Sequence, residues 1–132
     1  GLTAGRAGGG AGRGKVVGVE PQGSRCLHAA LEAGEPVDVP VDSIAGDSLG
    51  AGRVGTLAFA VATQAIDHVA LVPDEAIRAA QQRLWRDWRL MAEPGGATAL
   101  AALLSGAYRP ASGERVGVLL CGSNVDPATV VG

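Results

Sequence analysis

Near the end of the chain an apolar run, Arg115-Val116-Gly117-Val118-Leu119-Leu120, stops at Cys121 and turns through Gly122-Ser123-Asn124. Open α/β sheets present their chemistry this way: ligands bind beyond the carboxyl ends of strands, where a glycine lets backbone approach closely and short polar groups point into the cleft. Cys121 is therefore the first candidate for a ligand-facing group; the alternative is an inert core thiol at a strand end. Glu93-Pro94-Gly95-Gly96 sets a carboxylate at a helix start. Glu93 reads as a first-turn acid that favours the backbone amides after Pro94. The one lysine, Lys15, enters an apolar stretch and reads as a solvated strand-entry residue. His28 and His68 lack metal-ligand spacing to each other and read as surface or core residues.

These groups need elements to hold them. With 132 residues, 47% hydrophobic content and a net charge of -2, the chain has the bulk for one core and no basic face for nucleic acid. There is no long apolar span for a membrane. The two cysteines lie far apart, so free thiols and a reducing, cytoplasmic setting are expected. The only methionine is Met91 and the chain opens on Gly1-Leu2-Thr3, so it is expected to be a piece of a longer protein.

Strand and helix signals alternate. Lys15 to Val19 is a predicted buried strand, Ser24 to Ala33 a helix stopped by Gly34, and Pro36 to Val41 extended but too proline-rich for a central strand. Val54 to Ile66 has helical spacing at Val54, Leu57, Ala58, Val61 and Ala65, and His68 to Val72 is the next strand. Pro73-Asp74-Glu75 starts a helix that runs through Leu90. It is expected to bury Ile77, Ala80, Leu84 and Trp88, with Arg78, Arg83, Arg86 and Arg89 on a solvated side. Ala97 to Leu104 is a second, alanine-rich helix ending at Gly106, and Tyr108 to Glu114 is a turn-rich loop into a final strand over Arg115 to Cys121. Alternation of this kind predicts a three-layer α/β fold with a mostly parallel sheet, the three strands lying together. Residues 5–14, with six glycines and two arginines, cannot sustain a helix at about 1 kcal/mol lost per glycine. They also lack the strand before and the Lys-Ser/Thr after that a phosphate loop requires, and read as a connector.

The order of these motifs resembles a family. Gly-Leu at the start, Val17-Gly18-Val19-Glu20-Pro21, the segment Val41 to Gly50, Ala92-Glu93-Pro94-Gly95-Gly96-Ala97 and Cys121-Gly122-Ser123-Asn124-Val125-Asp126-Pro127 together resemble the C-terminal half of serine/threonine dehydratases. These are fold type II pyridoxal-phosphate enzymes, a group that includes serine racemase and the tryptophan synthase β-subunit. Each motif alone is weak, but five in order over nearly the whole chain are specific.

The resemblance implies that residues 1–132 are the C-terminal part of a catalytic domain, with 1–14 a glycine-rich remnant of the phosphate loop and the helix after it. Gly1 and Leu2 would end the run whose amides hold the cofactor phosphate. Ser48 falls where the family sets a backbone group beside the cofactor ring, Glu93 near the cofactor end of the site, Cys121 opposite the pyridine nitrogen, and Asn124 just beyond. A neutral thiol cannot keep that nitrogen protonated as a carboxylate would, which favours β-elimination of water to a 2-oxo acid and ammonia. The resemblance further implies a small hydroxy amino acid as substrate and a homo-oligomer. Some relatives bind a cation through the glutamate of Val-Glu-Pro, a carbonyl four residues on and an acid two further. Those positions are Glu20, Ser24 and Cys26 here, and a thiol in the last place removes a hard oxygen ligand. The Schiff-base lysine has no counterpart in this chain, so inactivity in isolation is expected. An amino-acid racemase on the same fold, or a non-catalytic fragment or interaction domain, are the competing readings.

Overall fold

The computed structural model describes residues 14–131. Gly1, Leu2 and most of the glycine-rich segment lie outside the described residues. Two strands, β1 (Val17–Pro21) and β2 (His68–Val72), pair in parallel with Val17 opposite His68 and Pro21 opposite Val72. β2 has the limits expected of it, whereas β1 sits two residues later than the apolar run suggested. Pairing sets that frame: Asp67 donates its amide to the Val16 carbonyl below the ladder, and Gln22 donates to Val72 above it. Pro21, with no N–H to offer, stands last in the strand, where the ladder asks least of it.

Between the strands run α1 (Cys26–Ala33), the single turn α2 (Gly46–Leu49) and α3 (Thr56–Ala65). After β2 come α4 (Asp74–Trp88), α5 (Pro94–Ser105) and a terminal turn α6 (Ala128–Val131). Strand side chains alternate between faces. Val19 and Val72 join Ile77, Ala80 and Leu84 of α4 and Ala97, Ala101 and Ala102 of α5 in the main core. Alanines along α5 let it lie close to both α4 and the sheet. Glu20 projects from the other face toward α1, where Cys26 and Ala30 form a second, smaller core with Val54, Val39 and Phe59. Helices thus cover both faces of a parallel sheet, the three-layer α/β arrangement anticipated. Among the described residues no helix is long and apolar enough to cross a membrane.

Three expectations are corrected. Arg115 to Cys121 is not a strand: it takes no part in the ladder of β1 and β2, and Val116, Leu119 and Leu120 are exposed. A strand exists only where a neighbour takes up its N–H and C=O groups, and no described strand pairs with this run. The face of α3 is also rotated. Ala62 is buried while Leu57 and Val61 face outward, because Phe59 and Ala62 are the residues turned toward α1. Trp88 is 57% exposed. It is the last residue of α4; Arg89 (φ 54°) takes the left-handed cap and Leu90 donates back to Leu84, so the chain leaves before the stripe reaches another partner.

Candidate functional site

Both strands point their carboxyl ends at the same edge of the sheet, and the loops on that edge are tied to one another. The turn after β1 brings Gly23 so close to residue 42 that a Cβ there would sit 1.7 Å from the Asp42 carbonyl oxygen, while Asp42 donates its amide to Gly23 (2.8 Å). Ser24, almost wholly buried, donates its hydroxyl to the Leu49 carbonyl. Asp74, first residue of α4, receives the Ser43 hydroxyl on one carboxylate oxygen (2.7 Å) and the Ile44 amide on the other (2.9 Å). The segment 42–49 is therefore held both from the turn after β1 and from α4.

That segment delivers Ser48 to the start of α5. A Cβ on Gly95 would lie 2.2 Å from Ser48 Oγ, so a larger residue here would displace the Ser48 side chain. The next glycine is engaged from the opposite side: a Cβ on Gly96 would fall 1.7 Å from the Cys121 carbonyl oxygen and 2.9 Å from that of Gly122. Gly122 has φ +76°, and a Cβ on it would strike the Glu93 carboxylate at 1.9 Å. The Glu93 amide donates to the Gly122 carbonyl (3.1 Å). Ser48, Glu93 and Cys121, distant in sequence, thus converge on the first turn of α5.

The helix start is itself braced. Gln81, buried in α4, donates its side-chain amide to the Ala92 carbonyl (2.8 Å), and buried Thr98 donates its hydroxyl to Pro94 (2.8 Å). Pro94 at the first helical position supplies the preset φ, and Ala97 makes the first bond, to Glu93. The amides of Gly95 and Gly96 consequently lack intrahelical partners, at the positive end of the helix dipole. Chemically this is a hydroxyl, a carboxylate, the backbone of Cys121 and a helix start, with three glycines admitting close approach. The Cys121 side chain is exposed rather than packed in a core, contrary to the inert-thiol alternative. Asn124 lies exposed in the loop beyond it.

Glu20 engages the start of α1. Glu20 Oε1 accepts the Leu27 amide (3.1 Å) and lies 3.9 Å from Cys26 Sγ, while Oε2 accepts the His28 amide (2.8 Å). Burial, and then the charge of Glu20, push the Cys26 thiol up from its ordinary value. Among the described residues no group of three His, Cys, Asp or Glu side chains is disposed to hold a metal ion. Lys15 stands at the opposite edge of the sheet, its ammonium 5.1 Å from the Tyr108 ring centre beyond the far end of α5.

Two residues escape a reading of the sequence. Asp74 has the look of a helix-start acid, yet it spends both oxygens on another loop. Gln81 carries a readable signal: a polar residue on the Ile77–Leu84 stripe is buried by the helix period and needs a partner.

Comparison with known proteins bears on this geometry. Residues 1–122 match the family model described as pyridoxal-phosphate dependent enzyme. The chain is 39% identical over 115 residues to the phenylserine dehydratase of Ralstonia pickettii, covering 87% of this chain and 35% of that one. It is 39% identical over 113 residues to the biosynthetic L-threonine dehydratase of Escherichia coli K12, covering 85% and 22%. Among solved structures, the threonine deaminase of T.th. superposes with a TM-score of 0.78 at 31% identity over 86% of this chain and 41% of that one. Maize serine racemase does so at 0.77 and 30% over 89% and 36%. The chain spans about a third or less of the length of the curated relatives named.

Proposed function

The chain belongs to the pyridoxal-phosphate dependent enzymes, and from that premise we propose that it is the C-terminal part of a hydroxy-amino-acid dehydratase that eliminates water from threonine or serine to give a 2-oxo acid and ammonia. The observation that carries this reading is the convergence of Ser48, Glu93 and Cys121 on the glycine-built start of α5. The donor set fits the family's cofactor. It combines a neutral thiol suited to meet a ring nitrogen, a hydroxyl-bearing loop suited to lie beside a planar ring, and glycines that leave room where a Cβ would intrude. Pyridoxal phosphate, when bound, supplies the electron sink that makes the α-proton removable. In this reading Cys121 and Asn124 face the ring nitrogen side, Ser48 lines the ring, Glu93 holds the cofactor end of the site, and Gly1 and Leu2 close the phosphate cup. A thiol, unlike a carboxylate, does not hold a proton on the nitrogen, and elimination tolerates this because the departing β-hydroxyl carries away the electrons.

The lysine that would move the α-proton comes from polypeptide other than this chain, because Lys15 lies on the wrong edge of the sheet. A racemase on the same scaffold is the second reading, favoured by the similarity to serine racemase; it would invert the substrate without releasing ammonia.

The test uses the full-length polypeptide that carries this segment. Cys121→Ser, small and neutral, retains ammonia release from threonine or serine. Cys121→Asp changes the cofactor's absorbance and slows elimination while its thermal midpoint stays near that of the parent. A folded Cys121→Asp protein with the parent's spectrum and kinetics would remove Cys121 from the site. Enantiomer interconversion without ammonia would select the racemase. Assayed alone, the 132-residue chain releases no ammonia.

A further inference from the structure

The family resemblance carries with it a cation site at Glu20, Ser24 and Cys26, and the residues present do not fit one. One residue of this chain closes it, and the carboxylate beside it is put to another use. Glu20 accepts one amide on each oxygen, that of Leu27 and that of His28, at the start of α1. The Cys26 thiol occupies the place of the third ligand and lies against the same carboxylate, as a soft, buried group that magnesium or calcium does not select.

We propose that Glu20 performs internally what a cation does in such relatives: it ties the end of β1 to the start of α1, and the protein takes no metal ion there. The arrangement is self-sufficient. α1 has no acidic residue in its first turn, and its N-cap residue, Arg25, makes no side-chain cap bond. The carboxylate of Glu20 takes over that role from a neighbouring strand, satisfying two amides that the helix itself leaves without partners. The turn so fixed carries Gly23 and Ser24, which hold the segment bearing Ser48. The cation's structural task, if relatives use it to steady this turn, is already done by a side chain that cannot dissociate.

The test is a thermal melt of the full-length polypeptide that carries this segment, in a chelator and in millimolar magnesium, calcium or zinc. A cation bound at about 100 times its Kd would raise the midpoint by roughly 5 °C. The expected result is one midpoint in all four conditions. Glu20→Gln is expected to lower it equally in each, since it weakens the cap without touching a metal. Cys26→Asp restores a hard ligand beside Glu20 and is expected to make the midpoint rise with magnesium or calcium. A parent midpoint that rises with any of the three ions overturns the proposal. So does a Cys26→Asp protein indifferent to magnesium and calcium, because the thiol would then not be what closes the site. Neither outcome depends on pyridoxal-phosphate chemistry, so failure here leaves the dehydratase reading untouched.

Discussion

The two edges of the sheet are built by different means. At the carboxyl edge, the carboxylates of Glu20 and Asp74 spend their oxygens on backbone amides and a serine hydroxyl of other segments, and glycines 23, 95, 96 and 122 let backbones and side chains meet at distances no Cβ would allow. At the amino edge, Lys15, His68 and Tyr108 meet one another through side chains, and backbone is engaged only locally, by Glu114 at the Ala111 amide and by Asp67 at the Val16 amide. The Lys15 ammonium lies over the Tyr108 ring, His68 and Tyr108 rings are 6.0 Å apart, and the Tyr108 hydroxyl donates to Glu114 at 2.5 Å. Contacts to backbone hold a loop in one conformation, whereas long side chains meeting in solvent constrain little and are screened. The titratable cluster that looks richest in chemistry is therefore on the edge with the weaker framework. The site belongs to the other edge, as the general rule for open α/β sheets requires.

The hardest blow to this comparison is aimed at Gly96. Gly96→Ala forces a Cβ onto the Cys121 carbonyl, and the loop bearing Cys121 must move away from α5. The expected cost is about 3 kcal/mol, together with loss of cofactor binding in the full-length polypeptide. Denaturant unfolding and cofactor titration check this; an alanine variant with unchanged midpoint and cofactor affinity would mean that the close approach does not hold the site.

Next in size is Asp74→Ala, which strips the Ser43 hydroxyl and the Ile44 amide of their acceptor. About 2 kcal/mol is expected from the loss of these charge-assisted bonds. Amide hydrogen exchange over 42–49 should rise before that of the core helices, and uniform exchange across the chain would show that Asp74 does not act through this loop.

The smallest effect is expected at the amino edge. The Tyr108 hydroxyl, and then the Ala111 amide, hold the Glu114 carboxyl below its ordinary value. The Glu114 hydrogen bond holds the Tyr108 phenol above its own. The depressed carboxylate contributes above its unfolded value and loses that contribution as pH falls through the folded one. The raised phenol contributes below its unfolded value and loses it as pH rises through the folded one. Glu114 is exposed and the substitution removes only the hydroxyl of a half-buried ring, so Tyr108→Phe is expected to leave the neutral-pH midpoint within error of the parent and only flatten its slope at the acid and alkaline ends. A fall like that of Asp74→Ala would erase the distinction between the edges.

Much of the framework was legible along the chain. His68 to Val72 is a strand with the limits its apolar run gives. α4 starts at Asp74 after Pro73, α5 carries Pro at its first position, and both α1 and α5 end at glycines, 34 and 106, with positive φ. The readings that failed share a cause. Leu57 and Val61 have helical spacing, but which face of α3 turns inward was decided by where α1 lies. Val116 to Leu120 has the composition of a buried strand, but composition supplies no neighbour to pair with.

Periodicity, caps and small residues at 95, 96 and 122 act within a few positions of themselves, so the sequence by itself determined the elements, their order and the places where chain could pass close to chain. Tertiary structure alone decided that Ser48, Glu93 and Cys121 share the start of α5, that Glu20 caps a neighbouring helix, and that Lys15 stands at the far edge. Those outcomes depend on strand pairing and on how near one backbone comes to another. Such distances are properties of the packed whole, because no residue encodes the position of a segment it meets only after the sheet has formed.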